Sequence, residues 1–178
     1  TGKVNFATAA NFATRAGTIV LSSVPAGVTV RRAYFYYFTI GGSVVSATFM
    51  GSPIPVTSIG TQGGRFCYRH EVTGSVTANG SYPWTVRGSN IQTEARGGAL
   101  LVIYDDPSLI ADYDIEIHDG LNGGSNLSGA SQCPWPNATS FTGFVVDGTA
   151  PREAQLAYLM TGGGAGASEH YVFKVTSG

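Results

Sequence analysis

The sequence is poor in charged residues, and above all in lysine. Charged residues make up 12% of its 178 positions, and Lys3 and Lys174 are its two lysines. Ordinary soluble domains have about twice that share of charge. Nucleic acids and anionic membrane surfaces are bound by clustered cations, so we expect neither as a partner. A surface with so little charge favours self-association, which predicts that neighbouring copies of the chain cover it.

Long apolar runs and paired cysteine motifs are also missing. No stretch approaches the roughly 18 apolar residues that a membrane-spanning helix needs, so membrane insertion is not expected. Cys67 and Cys133 are the two cysteines, and they have no CxxC spacing. They would form a disulfide in a secreted protein or remain two buried thiols in the cytosol, and we favour the disulfide. The chain starts at Thr1 rather than Met, which is typical of a processed mature chain or a fragment.

Residues 97–120 predict the centre of an antiparallel sheet. Residues 99–104 (ALLVIY) are apolar without alternation, as in a strand that is covered on both faces. Asp-Asp-Pro-Ser at residues 105–108 favours a type I turn. Polar and apolar residues then alternate over residues 112–118, which predicts a second strand with one face in water. The stretch is therefore expected to form a β-hairpin.

The rest of residues 15–178 is predicted to complete one domain around this hairpin. Strands are expected at residues 17–23, 28–40, 44–50, 82–88, 141–146, 153–161 and 169–176, and a short helical turn within residues 65–74. In the strand at 153–161, Leu156, Tyr158 and Met160 share a face and Leu159 lies opposite. In the last strand, Tyr171 and Phe173 share a face. The pattern predicts an all-β, antiparallel β-sandwich of jelly-roll type, with about ten to eleven strands and little helix.

Residues 1–14 alternate weakly and form a separate N-terminal arm. Val4, Phe6 and Phe12 share one parity, and the two phenylalanines need burial. Two hypotheses stay open for the arm. It is either the first strand of the domain's own sheet, or a strand that completes the sheet of a neighbouring subunit by strand addition.

Four stretches carry a resemblance to a known family. They are residues 30–37 (VRRAYFYY), 68–82 (YRHEVTGSV and the NGSY that follows), 98–120 and 154–173. Together they resemble a family of secreted prokaryotic cell-surface β-sandwich domains of unassigned function, over about residues 28–175. The hairpin GALLVIYDDPSL…IEIHDG is the most specific part. The resemblance implies an extracellular, cell-surface location and transfers no catalytic residues.

Acidic residues concentrate at the hairpin, where they suggest a cation site. Six of the eleven acids lie between Asp105 and Asp119. Asp105, Asp106 and Asp112 are candidate Ca²⁺ ligands, because Ca²⁺ takes several carboxylate and carbonyl oxygens. The simpler alternative, which we favour, is a turn-capping Asp beside a solvated strand face. No other cofactor is expected, and since no catalytic motif is visible we do not expect an enzyme.

Two functional hypotheses follow from these patterns. The favoured one is a structural subunit of an extracellular filament or surface assembly, a homopolymer joined by strand addition of the N-terminal arm. The alternative is a secreted adhesin or glycan-binding module that uses Trp84 and Trp135, with or without Ca²⁺.

Overall fold

A computed structural model describes residues 3–11, 15–62, 64–90 and 94–109, together with Ile115 and Ile117. Within them it has nine strands and one 3₁₀ turn, Thr73–Ser75. The strands are β1 (Lys3–Asn11), β2 (Ala16–Leu21), β3 (Thr29–Ile40), β4 (Val44–Phe49), β5 (Ser52–Ile54), β6 (Ser58–Gln62), β7 (Arg65–Glu71), β8 (Gly80–Gly88) and β9 (Glu94–Asp106). The strands predicted at 112–118, 141–146, 153–161 and 169–176 lie outside the described residues.

The strands form two antiparallel sheets, which confirms the predicted all-β sandwich. Sheet A has the order β1-β9-β3-β7-β6, and sheet B has the order β2-β8-β4-β5. The ladders pair β1 with β9, β2 with β8, β3 with β7 and β4 with β5. The chain is therefore one long hairpin bent at β4–β5 and wrapped on itself, with β3–β9 and β4–β8 closing the sheets. This is the topology of a jelly roll, with β6 as an added edge strand.

The core lies between the sheets and is built by alternating residues of each strand. In β8, Tyr82, Trp84 and Val86 are buried and the residues between them are exposed. Leu100 and Val102 meet them from β9, and both are fully buried. Because one face of each sheet is packed against the other, burial of these apolar side chains supplies most of the driving force for folding.

Aromatic rings fill the centre of the core. The ring of Phe35 is 5.2 Å from that of Tyr37 and 5.9 Å from that of Trp84, and the Tyr37 ring is stacked on Tyr68 at 4.9 Å. Such ring pairs are favourable beyond the area they bury. The hydroxyl of Tyr68 accepts a hydrogen bond of 2.9 Å from the backbone N–H of Val44, so this ring also fixes the start of β4.

The two central strands behave as the sequence predicts. In β3, Phe35 and Tyr37 point into the core, and Phe38 is buried on the opposite face. β9 is hydrogen-bonded on both sides, to β1 and β3. It is longer than predicted, because it begins at Glu94 rather than near residue 99.

Two local expectations need correction. Residues 65–74, predicted to contain a helical turn, form strand β7 first, and the turn is confined to Thr73–Ser75. The mixed polar and apolar pattern arises because β7 pairs on both sides, with β3 and with β6. β6 itself was not predicted, since Ser, Gly, Thr and Gln dominate it and it has no apolar face.

A two-residue turn joins β4 to β5. Phe49 pairs with Ser52, and Met50 and Gly51 between them have φ of 53° and 79°. Positive φ at both central residues is the geometry of a type I′ hairpin turn, which follows the twist of the strands. Glycine adopts it freely, whereas methionine does so at a cost.

Candidate functional site

The N-terminal arm is an edge strand of sheet A. β1 pairs with β9 of the same chain over its whole length, from Lys3 opposite Asp106 to Asn11 opposite Gly98. It is the terminal strand of the sheet, with one hydrogen-bonded neighbour. In the single chain the arm thus takes the first of its two predicted places, as a strand of its own sheet.

The side chains of β1 divide between the two faces of sheet A. Ala7 lies opposite Val102 and is buried in the core. Val4 and Phe6 lie on the outer face, opposite Asp105 and Ile103, and both are half-buried. Phe12, the third predicted arm residue, lies outside the described residues. The arm is therefore held by a backbone ladder with a small core contribution, because only a small side chain is fully buried from β1 among those described.

The connection from β1 to β2 is short and leads from one sheet to the other. Residues 12–14 separate β1, in sheet A, from Arg15 and β2, in sheet B. Arg15 has a φ of 67°, in the left-handed region that is costly for a residue with a side chain. Its carbonyl accepts a 2.7 Å hydrogen bond from the N–H of Val86, which anchors the start of β2 to sheet B. The start of β2 is therefore fixed to sheet B next to a residue with a strained backbone.

The outer face of sheet B is exposed and nearly uncharged. It presents Thr18 and Val20 from β2, Thr48 from β4, and Ser81, Pro83, Thr85 and Arg87 from β8. Val20 is 63% exposed and Val45, at the β4 bulge, is 57% exposed. We name this the neutral face. This face was not predicted, although the alternation of apolar and small polar residues in β8 was a sequence signal for it.

The carboxylates at the end of β9 are already engaged. Asp105 Oδ1 lies 2.7 Å from Nε of Arg31. Asp106 is buried, and its Oδ1 accepts hydrogen bonds of 2.8 Å from the Ser108 N–H and 2.6 Å from the Ser108 hydroxyl. Neighbouring strand residues point to opposite faces, so the two carboxylates do not converge.

This geometry favours the turn-capping alternative over a Ca²⁺ site. The third candidate ligand, Asp112, lies outside the described residues. Among those described, no three His, Cys, Asp or Glu residues are grouped as metal ligands. An arginine beside Asp105 also supplies the positive charge that a cation would bring.

Trp84 and Trp135 are the two predicted glycan contacts. Trp84, predicted as a glycan contact, is 1% exposed and packs between the sheets. It does so because Tyr82, Trp84 and Val86 share the inner face of β8. The structure therefore does not offer Trp84 to a glycan at the surface. Trp135 lies outside the described residues, so its predicted glycan contact stays a prediction.

The predicted disulfide between Cys67 and Cys133 is not supported. Cys67 is a free thiol on β7, and Cys133 lies outside the described residues. Cys67 lies opposite Phe38, on the outer face of sheet A. Burial raises the pKa of the Cys67 thiol, and a hydrogen bond with the backbone of Tyr68 opposes the shift. A raised pKa leaves less reactive thiolate at neutral pH.

Comparisons of the chain with protein-family models, with curated proteins and with solved structures give no match. The resemblance to secreted cell-surface domains therefore remains a prediction. Among the described residues, no helix is long and apolar enough to span a membrane.

Proposed function

We propose that the chain is a structural subunit of an extracellular filament or surface assembly, in which β1 of one copy completes sheet A of the next. The observation that supports this most is the place of β1. It is a terminal edge strand, paired along nine residues with β9 and followed after residues 12–14 by the strained Arg15. Its ladder would be identical in the home and the exchanged form.

Because the ladder is the same in both forms, exchange must be driven by what differs between them. One difference is the connection: in the home form it joins β1 and β2 within one sandwich, whereas in the exchanged form β1 lies in the next copy. Short connections under strain make the home position less favourable. An opposing effect favours the home form. Because β1 is tethered to its own chain, its effective concentration at the edge of its own β9 is high, in the millimolar range. Further contacts between copies are therefore needed for a stable polymer.

The neutral face is the surface that we propose for these contacts. Its exposed Val20 and Val45 are surrounded by hydroxyl-bearing residues, with Arg87 as its charged residue among those described. A face with so little charge carries a small desolvation penalty when two copies meet. Low net charge also removes the repulsion that keeps copies apart. Exchange of β1 and contact through the neutral face would thus support each other.

The extracellular location rests on the family resemblance and on the composition. The assembly needs no cofactor, and its partners are copies of the same chain. No described side chain favours the glycan-binding alternative, which depends on Trp135.

Lengthening the connection tests the proposal in the full chain. We expect the native protein to form multimers whose mass, measured by light scattering, rises with concentration. Insertion of Gly-Ser-Gly-Ser after residue 13 should relieve the connection and give monomers. An insertion of equal length after Gly27, in the β2–β3 turn, is the matched control and should leave the multimers unchanged.

A competing peptide separates strand exchange from other association. A peptide of residues 1–14 in excess should cap the free β9 edges and shorten the multimers. The same peptide with Ala7→Asp should have no effect, because position 7 is buried against Val102 and would place a charge in the core. A native protein that stays monomeric at high concentration, or multimers unaffected by both the insertion and the peptide, would refute the proposal.

A further inference from the structure

Two buried polar atoms next to Gly98 have no hydrogen-bond partner among the described residues. They are Oδ1 of Asn11, on β1, and Nε1 of Trp84, on β8. A buried polar group that makes no hydrogen bond costs free energy, and the large majority of such groups in folded proteins have a partner. The amide oxygen of Asn11 is an acceptor and the indole N–H of Trp84 is a donor, so one group placed between them can satisfy both.

The fold brings these two atoms to the same place. Asn11 is paired with Gly98 in the β1–β9 ladder and shares the inward parity of Ala7, which is part of the core. The β-carbons of directly opposite strand positions are about 4.5–5.5 Å apart. The indole of Trp84 covers the same glycine from sheet B, because its Nε1 lies 2.9 Å from the point where a β-carbon on Gly98 would be. The edge of the indole that carries the N–H therefore lies beside the amide of Asn11.

A water molecule has the size and the chemistry to join these two atoms. They do not bond to each other directly, since neither has a partner among the described residues. Trp84 is 1% exposed, so its N–H is also shielded from bulk solvent. Buried waters bridge polar groups of this kind, accepting from an N–H and donating to a carbonyl oxygen. We infer that one ordered water bridges the indole N–H of Trp84 and Oδ1 of Asn11 beside Gly98.

The hydroxyl of Tyr37 is a third buried polar atom without a partner among the described residues, but the bridge does not use it. Tyr37 lies on β3, and β9 separates this strand from β1. Its ring is stacked at 4.9 Å on Tyr68 of β7, on the side away from β1. Tyr37→Phe should therefore leave the water in place.

The bridge makes Asn11 a register-determining residue of β1. A shift of β1 by two residues keeps each side chain on its own face of the sheet, so the alternation of faces does not prevent it. In one direction the shift places Asn11 opposite Leu100, which is fully buried, and in the other it places Ala9 opposite Gly98. Either shift separates the amide from the indole and leaves the N–H of Trp84 unpaired. Single buried polar residues fix the register of coiled coils in the same way.

Magnetisation transfer from water to the indole proton tests the bridge in the full chain. The chain has two tryptophans, and the indole signal that disappears in Trp84→Phe is that of Trp84. We expect a nuclear Overhauser transfer from a bound water to this proton, in solution or, for multimers, under magic-angle spinning. Asn11→Leu, of similar size but apolar, should abolish the transfer. Asn5→Leu is the matched control and should keep it, because Asn5 has the same parity on β1 but lies opposite Tyr104.

Denaturant unfolding gives a second readout. Asn11→Leu should be less destabilising in a Trp84→Phe chain than in the native chain, because no indole N–H is then left without a partner. The inference is overturned if the native chain shows no transfer, if Asn11→Leu keeps it, or if the two substitutions have additive effects on stability. The β1–β9 ladder is the same whichever copy provides β1, so these results do not depend on strand exchange.

Discussion

Gly98 is the position where the packing of the core leaves no room for a side chain. A methyl group added there would lie 2.8 Å from Cε2 of Trp84 and 2.9 Å from Cε2 of Phe35. Carbon atoms pack best at about 3.5–4.0 Å, so the rings would have to move by roughly 0.6 Å or more. Both rings are buried, and β9 is hydrogen-bonded on either side, so neither partner can move freely.

We expect Gly98→Ala to destabilise the protein by about 1–2 kcal/mol. Overpacking in a filled core costs about 1–3 kcal/mol, and loss of the glycine's unfolded-state entropy returns about 0.5–1 kcal/mol. Denaturant unfolding followed by circular dichroism measures the difference. Trp84→Phe should reduce the clash, so the double variant should cost less than the sum of the single ones.

Gly74→Ala is the matched control, because no atom lies within 4 Å of the added methyl group. Its stability should stay within about 0.5 kcal/mol of the native protein. A Gly98→Ala protein as stable as the native one would refute the close approach of Trp84 and Phe35 to β9.

Four further predictions concern single side chains. Met50→Asn should raise the free energy of unfolding by up to about 1 kcal/mol, because Asn tolerates the left-handed backbone of the β4–β5 turn; an unchanged denaturation midpoint would count against this. Tyr68→Phe should cost about 1–3 kcal/mol, since the buried N–H of Val44 loses its acceptor. Tyr37→Phe should be neutral or stabilising, because the buried hydroxyl of Tyr37 has no hydrogen-bond partner among the described residues. If denaturant unfolding showed Tyr37→Phe to be less stable than Tyr68→Phe, both predictions would be contradicted. Burial raises the pKa of Tyr36 to about 12, against about 10 in the unfolded chain. The contribution of Tyr36 to stability is therefore complete below about pH 10 and is lost as the pH rises towards 12. The free energy of unfolding should fall less steeply over this pH range in Tyr36→Phe than in the native protein. The same pH dependence in both proteins would contradict this.

The parts of the fold that could be predicted are those in which the residue pattern of a single strand or turn indicates its structure. The apolar run of β9 and the aromatic residues of β3 indicated central strands, and Asp-Asp-Pro-Ser indicated the turn after β9 that Asp106 now caps.

The parts that could not be predicted depend on distant pairing. β6 has no apolar face and exists because β7 offers it an edge. In a jelly roll, strands that are far apart in the sequence pair with each other, as β1 does with β9. No short stretch of sequence indicates such a pairing. Trp84 was misplaced for a different reason. It was predicted as an aromatic glycan contact, although its shared parity with Tyr82 and Val86 was the available signal for the core.

The most direct test of the proposed assembly asks which chain provides the strand beside β9. Phe6 of β1 lies opposite Ile103 of β9, and directly opposite strand residues are about 4.5–5.5 Å apart at Cα, within reach of a disulfide. A chain with Phe6→Cys and Ile103→Cys, and with Cys67 and Cys133 replaced by Ser, should be oxidised at high concentration and run on a non-reducing denaturing gel. Strand exchange predicts a ladder of covalently linked multimers. A single species of one-chain mass, with both new thiols consumed, would contradict it.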